Sequence, residues 1–144
     1  MSRITKTVSI KTDPKSVMNY VADVRNHPAF IGPLKAVTNL NGPSSKSGAK
    51  WDWTFIMAGI ELTGRAELVE YVEGTRYKYK TTSGALSTFD YSVEQDGANT
   101  RLTMDVEYEV PASVLGKLQA VVVEKLNDKA AEQATESIKV ILED

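Results

Sequence analysis

Cysteine is absent from the 144 residues, which excludes disulfides, thiolate metal sites and a cysteine nucleophile, and accords with a reducing compartment. Histidine occurs once, at His27. A zinc or iron site wants two or more His or Cys ligands, so none is expected. His27 lies in a proline-flanked turn and is expected at the surface, with no catalytic role; no catalytic residue is assigned. Neither a P-loop nor a GxGxxG run occurs, so no nucleotide cofactor is expected, and none of any other kind is called for. No excess of one charge exists either, because 17 basic and 19 acidic residues leave a net charge of -2. Without a sustained positive field, nucleic acid is not an expected partner. No apolar run approaches the length of about 20 residues that spans a bilayer, and Met1-Ser2-Arg3-Ile4-Thr5-Lys6 lacks the apolar core of a signal peptide. These absences predict a cytoplasmic protein without an integral membrane segment, a monomer or weak homodimer.

What is present is enough apolar residue, 42%, to fill the core of one domain spanning 1–144. Ile4, Val8 and Ile10 share one parity across Arg3–Lys11 and predict a first strand. Asp13-Pro14 is a helix start, and Val17, Tyr20, Val21 and Val24 give a short amphipathic helix after it. His27-Pro28 and Gly32-Pro33 bracket Phe30 and Ile31 in a loop or second short helix. Leu34 opens another extended stretch. The polar segment Asn41–Gly48 reads as a flexible connection between strands.

Strict alternation then marks successive antiparallel strands. Trp51, Trp53, Phe55 and Met57 share a face, with a turn at Ala58-Gly59. Leu62, Gly64, Ala66 and Leu68 follow, and the adjacent pair Leu68-Val69 predicts a bulge. Tyr77 and Tyr79 lie on one face of the next strand, then Phe89, Tyr91 and Val93, then Leu102, Met104, Val106 and Tyr108. From Ala112 to Leu142 there is no proline, and Leu115, Leu118, Val122, Leu126, Ala130, Ala134, Ile138 and Ile141 step by three or four. One uninterrupted helix is predicted, loosened at Gly116. Strands followed by a long helix make an α+β pattern, with a curved antiparallel sheet of six to seven strands around the C-terminal helix and one or two short helices after the first strand.

Several segments carry a resemblance to a known superfamily. They are Val8-Ser9-Ile10-Lys11-Thr12-Asp13-Pro14-Lys15-Ser16-Val17 leading to Tyr20-Val21-Ala22-Asp23, the Asn26-His27-Pro28 turn, Gly64-Arg65-Ala66-Glu67-Leu68-Val69-Glu70-Tyr71, and Gly97-Ala98-Asn99-Thr100-Arg101-Leu102-Thr103, with a closing helix after Val110-Pro111. Over nearly its whole length the chain resembles the START-like superfamily, also called SRPBCC or Bet v 1-like. The nearest branch is that of the polyketide cyclase/dehydrase proteins and their relatives among the subunits of carbon monoxide dehydrogenase. Phe30 followed by Ile31-Gly32 departs mildly from the bulky aromatic usual after that proline turn. The resemblance implies a helix-grip fold whose members bind sterols, lipids, polyketides and other hydrophobic compounds between sheet and helix.

A curved sheet closed by one helix need not fill its own interior, and buried tyrosine hydroxyls or indole N–H groups need partners. The expected partner is therefore a small hydrophobic ligand, lipid, sterol-like or polyketide-like. Its expected contacts are Trp51, Trp53, Phe55, Met57, Leu62, Tyr77, Tyr79, Phe89, Tyr91, Met104 and Tyr108 from the sheet and Leu118, Val122 and Leu126 from the helix. Lys6, Lys125 and Lys129 are candidates for an acidic head group. Asp52 and Asp90 have the opposite parity from the aromatics and read as exposed sheet residues. Two alternatives to a carrier are a polyketide cyclase/dehydrase-type enzyme and a protein-interaction or membrane-enzyme accessory module.

Overall fold

The computed structural model describes residues 1–143. Alternation at period two produces seven strands: β1 (Ser2–Ile10), β2 (Leu34–Thr38), β3 (Lys50–Met57), β4 (Ile60–Val72), β5 (Arg76–Thr81), β6 (Ser87–Asp96) and β7 (Asn99–Tyr108). They form one antiparallel sheet in the order β1-β7-β6-β5-β4-β3-β2. Each of β3 to β7 pairs with its sequence neighbour, while the first strand closes onto the last, with Ile4 opposite Val106 and Val8 opposite Leu102. Ala58 and Gly59 make the tight turn between β3 and β4 at φ 51° and 82°. Two successive positive φ values match the right-handed twist of a hairpin and hold Met57 opposite Ile60. The bulge expected at Leu68-Val69 is present as a register shift between Leu68 and Glu70.

The outer face carries mixed charge, as the sequence indicated. Asp52 pairs with Arg65 and Asp90 with Arg76. These half-exposed pairs keep the face soluble and contribute little stability.

Asp13 caps α1 (Pro14–Val21), accepting from the Ser16 backbone N–H at 3.0 Å and its hydroxyl at 2.7 Å, with Pro14 in the first turn. A 3₁₀ turn, Val24–Asn26, leads into a one-turn helix α2 (His27–Phe30). The Asn41–Gly48 segment is tied down where the sequence indicated flexibility. Ser44 is buried, donates its hydroxyl to Ala22 O at 2.6 Å and accepts from Val24 N–H at 3.0 Å, while its own carbonyl accepts the Tyr77 hydroxyl at 2.8 Å. One serine thus fastens the loop to both the helix end and the sheet.

The C-terminal helix is not continuous. A single turn, α3 (Ala112–Leu115), ends at Gly116, and α4 (Ala120–Glu143) starts afresh after Gln119. Glycine is about 1 kcal/mol poorer than alanine within a helix, and the backbone uses the release to tuck Leu118 partly inward. The break also changes the buried stripe. Residues spaced strictly by four drift about 40° round a helix at each step, so Val122 and Leu126 leave the face that holds Ala130, Ala134 and Ile138. The residues turned inward are Val114, Val123, Ala131, Ala134, Thr135 and Ile138, whereas Leu115, Val122 and Leu126 are 46%, 40% and 46% exposed. α4 lies chiefly along β1, with α1 beneath β6 and β7.

A close crossing fixes the opposite side of the sheet. A Cβ on Gly64 in β4 would lie 1.9 Å from Ser83 O, and one on Gly84 would lie 2.0 Å from Thr63 O. The turn between β5 and β6 therefore folds onto β4 at positions that admit no side chain, and Thr82 N–H reaches Arg65 O at 2.8 Å. Gly64→Ala is expected to destabilise the protein by about 3 kcal/mol or more in urea unfolding. Gly32→Ala, where a Cβ meets nothing within 4 Å, is the control and should leave the midpoint nearly unchanged. Equal midpoints for the two variants would show that the crossing is loose.

Candidate functional site

Between the concave face of the sheet and the inner edge of α4 lies a cavity of about 110 Å³. Its wall brings together nine of the expected contacts: Trp51, Trp53, Phe55 and Met57 from β3, Leu62 from β4, Tyr79 from β5, Phe89 from β6, and Met104 and Tyr108 from β7. Parity alone placed them, since each strand turns alternate residues toward the same side. Tyr79 organises the aromatic part. It stacks on Phe89 with ring centroids 4.9 Å apart and planes 4° from parallel, and meets Trp51 edge-on at 5.3 Å. The Trp53 indole N–H donates to Arg65 O at 3.0 Å and so needs nothing from a ligand.

Five expected contacts lie elsewhere. Tyr77 and Tyr91 are inward and fully buried, but they are packed beneath the cavity floor rather than on its wall. Their level of the sheet is covered by α1 and the turn carrying His27, which comes within 6.4 Å of Tyr77 and 5.8 Å of Tyr91, ring to ring. Leu118, Val122 and Leu126 fail for the helical reason already given. The helix presents Asn127, Ala130, Ala131 and Ala134 instead. Small residues here leave room that leucine would fill. Spacing by four and three from the well-buried Ile138, back through Ala134 to Ala131 and Asn127, marks this face.

The lysines also stand apart from the cavity. Lys6 reaches out to Asp128, Nζ to Oδ2 3.0 Å, and Lys125 and Lys129 are exposed. Among the described lining residues no lysine or arginine occurs, and Glu109 at the exposed rim is the one carboxylate.

His27 reverses its expectation. It is 1% exposed and lies on the cavity wall, 5.7 Å from Tyr79 by ring centroids. Its Nε2 is 2.7 Å from Val21 O. A carbonyl only accepts, so Nε2 carries the proton and the lone pair of the neutral ring sits on Nδ1. A proline-flanked turn is exposed by default, but the α1 end folds this one inward and gives the ring a backbone partner. Burial lowers the His27 pKa from 6.5 to about 4, against a smaller opposing effect of the Val21 hydrogen bond. Burial likewise raises the phenol pKa values of Tyr79, Tyr77 and Tyr91.

The depressed His27 value has a definite sign in stability. The unfolded chain takes up a proton near pH 6.5 and the folded chain only near pH 4, so stability is complete above 6.5 and is lost as pH falls through that window. The loss should reach about 3 kcal/mol by pH 4, with most of the carboxylate contribution arising below pH 5. Urea unfolding from pH 7 to pH 5 should show the decline in the natural protein and little of it in His27→Gln, whose amide keeps a donor for Val21 O. The same decline in both would assign it to other groups.

Among solved structures, the fold matches a protein of Thermus thermophilus with a TM-score of 0.82 at 14% identity, covering 98% of this chain and 97% of that one. A START superfamily protein of Mycobacterium smegmatis matches with a TM-score of 0.76 at 16% identity, again over 98% and 97% of the two chains. Major latex-like protein 151 of ginseng, Panax ginseng, matches with 0.71 at 16% over the same shares. No curated protein matches the sequence. At such identities the likeness is one of fold, a helix-grip of the Bet v 1 and START kind. The family model for polyketide cyclase/dehydrase and lipid transport proteins matches residues 1–143; with a sheet, a gripping helix and an apolar interior all in place, the chain belongs to that family.

Proposed function

We propose that the protein binds a small hydrophobic molecule in the cavity between the sheet and α4. The observation that carries this reading is the wall itself: Trp51, Phe55, Met57, Tyr79, Phe89 and Met104 converge on space that the helix fills only with alanines and one asparagine. A core packed for stability alone would place larger side chains opposite such a surface, because unfilled apolar volume costs about 24 cal/mol per Å³.

The magnitude of the volume limits the guest. Engineered cavities of roughly 150 Å³ admit benzene, so about 110 Å³ suits one ring or a short chain. A sterol or a folded polyketide needs the walls to part. Family membership supports either carriage or a cyclase-type reaction, and the chemistry of the wall favours carriage. His27 with a pKa near 4 is a weak base at neutral pH, and the buried tyrosines are weakened as acids, so neither is tuned for proton transfer.

Native mass spectrometry of protein purified from its own host should show a bound small molecule, and added toluene should shift the NMR signals of Trp51 and Tyr79. Ala130→Leu, which fills the cavity from the helix side, should weaken toluene binding more than tenfold while the unfolding midpoint holds or rises. Toluene binding that persists in this variant would place the ligand elsewhere.

A further inference from the structure

One end of the cavity is polar in a specific way. Thr81, Ser87 and Tyr108 stand side by side on β5, β6 and β7, where Thr81 opposes Ser87 and Ser87 opposes Tyr108, and all three are on the wall. The hydrogen bonds there have a fixed direction. Thr81 Oγ1 lies 2.6 Å from Ala85 O, which can only accept, so the threonine proton is committed to it. In the Thr81–Ser87 contact of 2.8 Å the serine must then be the donor. Ser87 Oγ is left as an acceptor with no proton to give. Its neighbour Tyr108 has the reverse need, since its hydroxyl is buried without a hydrogen-bond partner, a state that costs free energy until an acceptor is supplied.

An acceptor and a donor set side by side match one functional group that is both. We propose that the cavity takes an uncharged ring compound bearing a hydroxyl group, whose oxygen accepts from Tyr108 and whose proton goes to Ser87. This rests on the cavity being the ligand site and specifies what it selects. The Tyr108 hydroxyl is closed off from solvent, so the pairing requires its ring to tilt toward the guest. Carboxylates are disfavoured, because the wall offers no lysine or arginine among its described residues and Glu109 stands at the rim; an anion would lose its hydration and meet a like charge. The Ile4, Phe89 and Val106 belt next to the polar end takes the ring.

Three probes of similar size separate the possibilities: p-cresol, p-xylene, in which a methyl group replaces the hydroxyl, and benzoate. Affinities measured by NMR titration at pH 7 should show p-cresol and p-xylene binding to the natural protein and benzoate at least tenfold weaker than p-cresol. Tyr108→Phe and Ser87→Ala should each weaken p-cresol about tenfold and leave p-xylene unchanged. Tyr108→Phe should also leave the unfolding midpoint unchanged or higher, since it removes an unsatisfied group. Equal losses for p-cresol and p-xylene in these variants would overturn the inference, as would benzoate binding as well as p-cresol. Failure of all three probes to bind the natural protein would instead count against the cavity as a ligand site.

Discussion

Covering one face of a wide sheet with narrow helices is the constraint from which the rest of this structure follows. Seven strands span six spacings of about 4.8 Å, or roughly 29 Å, while a helix with its side chains is about 10–12 Å across. Two helical bodies, α1 with its short continuation on one side and α4 along β1 on the other, cannot cover that width. Curling of the sheet removes part of the difference. The remainder is the cavity, and its position follows from where the two bodies stop: α1 and His27 close the level of Tyr77 and Tyr91, and the open level above them carries Tyr79, Phe89 and Tyr108.

Hydrogen bonding decides how firmly this arrangement is held. Ser44 joins a loop, a helix end and a strand through three bonds, and the Val21 carbonyl holds the His27 ring on the cavity wall. Both are interior polar groups with satisfied partners, so they confer geometry without the cost of an orphaned group. Tyr108 and Tyr91, whose hydroxyls have no partner, are the exceptions. Only Tyr108 reaches the cavity wall.

The sheet was legible because its signal is local. A period of two assigns each residue to a face without knowledge of the neighbours, so Trp51, Trp53, Met57, Phe89 and Met104 were placed correctly from alternation alone. The helix was less legible for an equally physical reason. Apolar residues at Leu115, Val122 and Leu126 lie on a path that drifts around the axis, and the break at Gly116 resets the phase. The polar segment containing Ser44 reads as mobile because a serine with three partners has the same letter as one in water. His27 was misplaced on the same ground, since its burial depends on a carbonyl contributed by a helix end, which no spacing rule reports. The unmatched donor and acceptor at Tyr108 and Ser87 arise from register, which places them opposite each other only once β6 and β7 are paired.

The crossing of the β5–β6 turn over β4 has a mechanical consequence. With backbone against backbone at Gly64 and Gly84, that border of the cavity is seated like a hinge pin with no clearance, and it cannot swing outward without separating two strands. Compliance in the molecule is therefore one-sided. It belongs to the border formed by α3 and α4, where the chain is interrupted between Gly116 and Gln119 and where few large side chains interlock with the sheet.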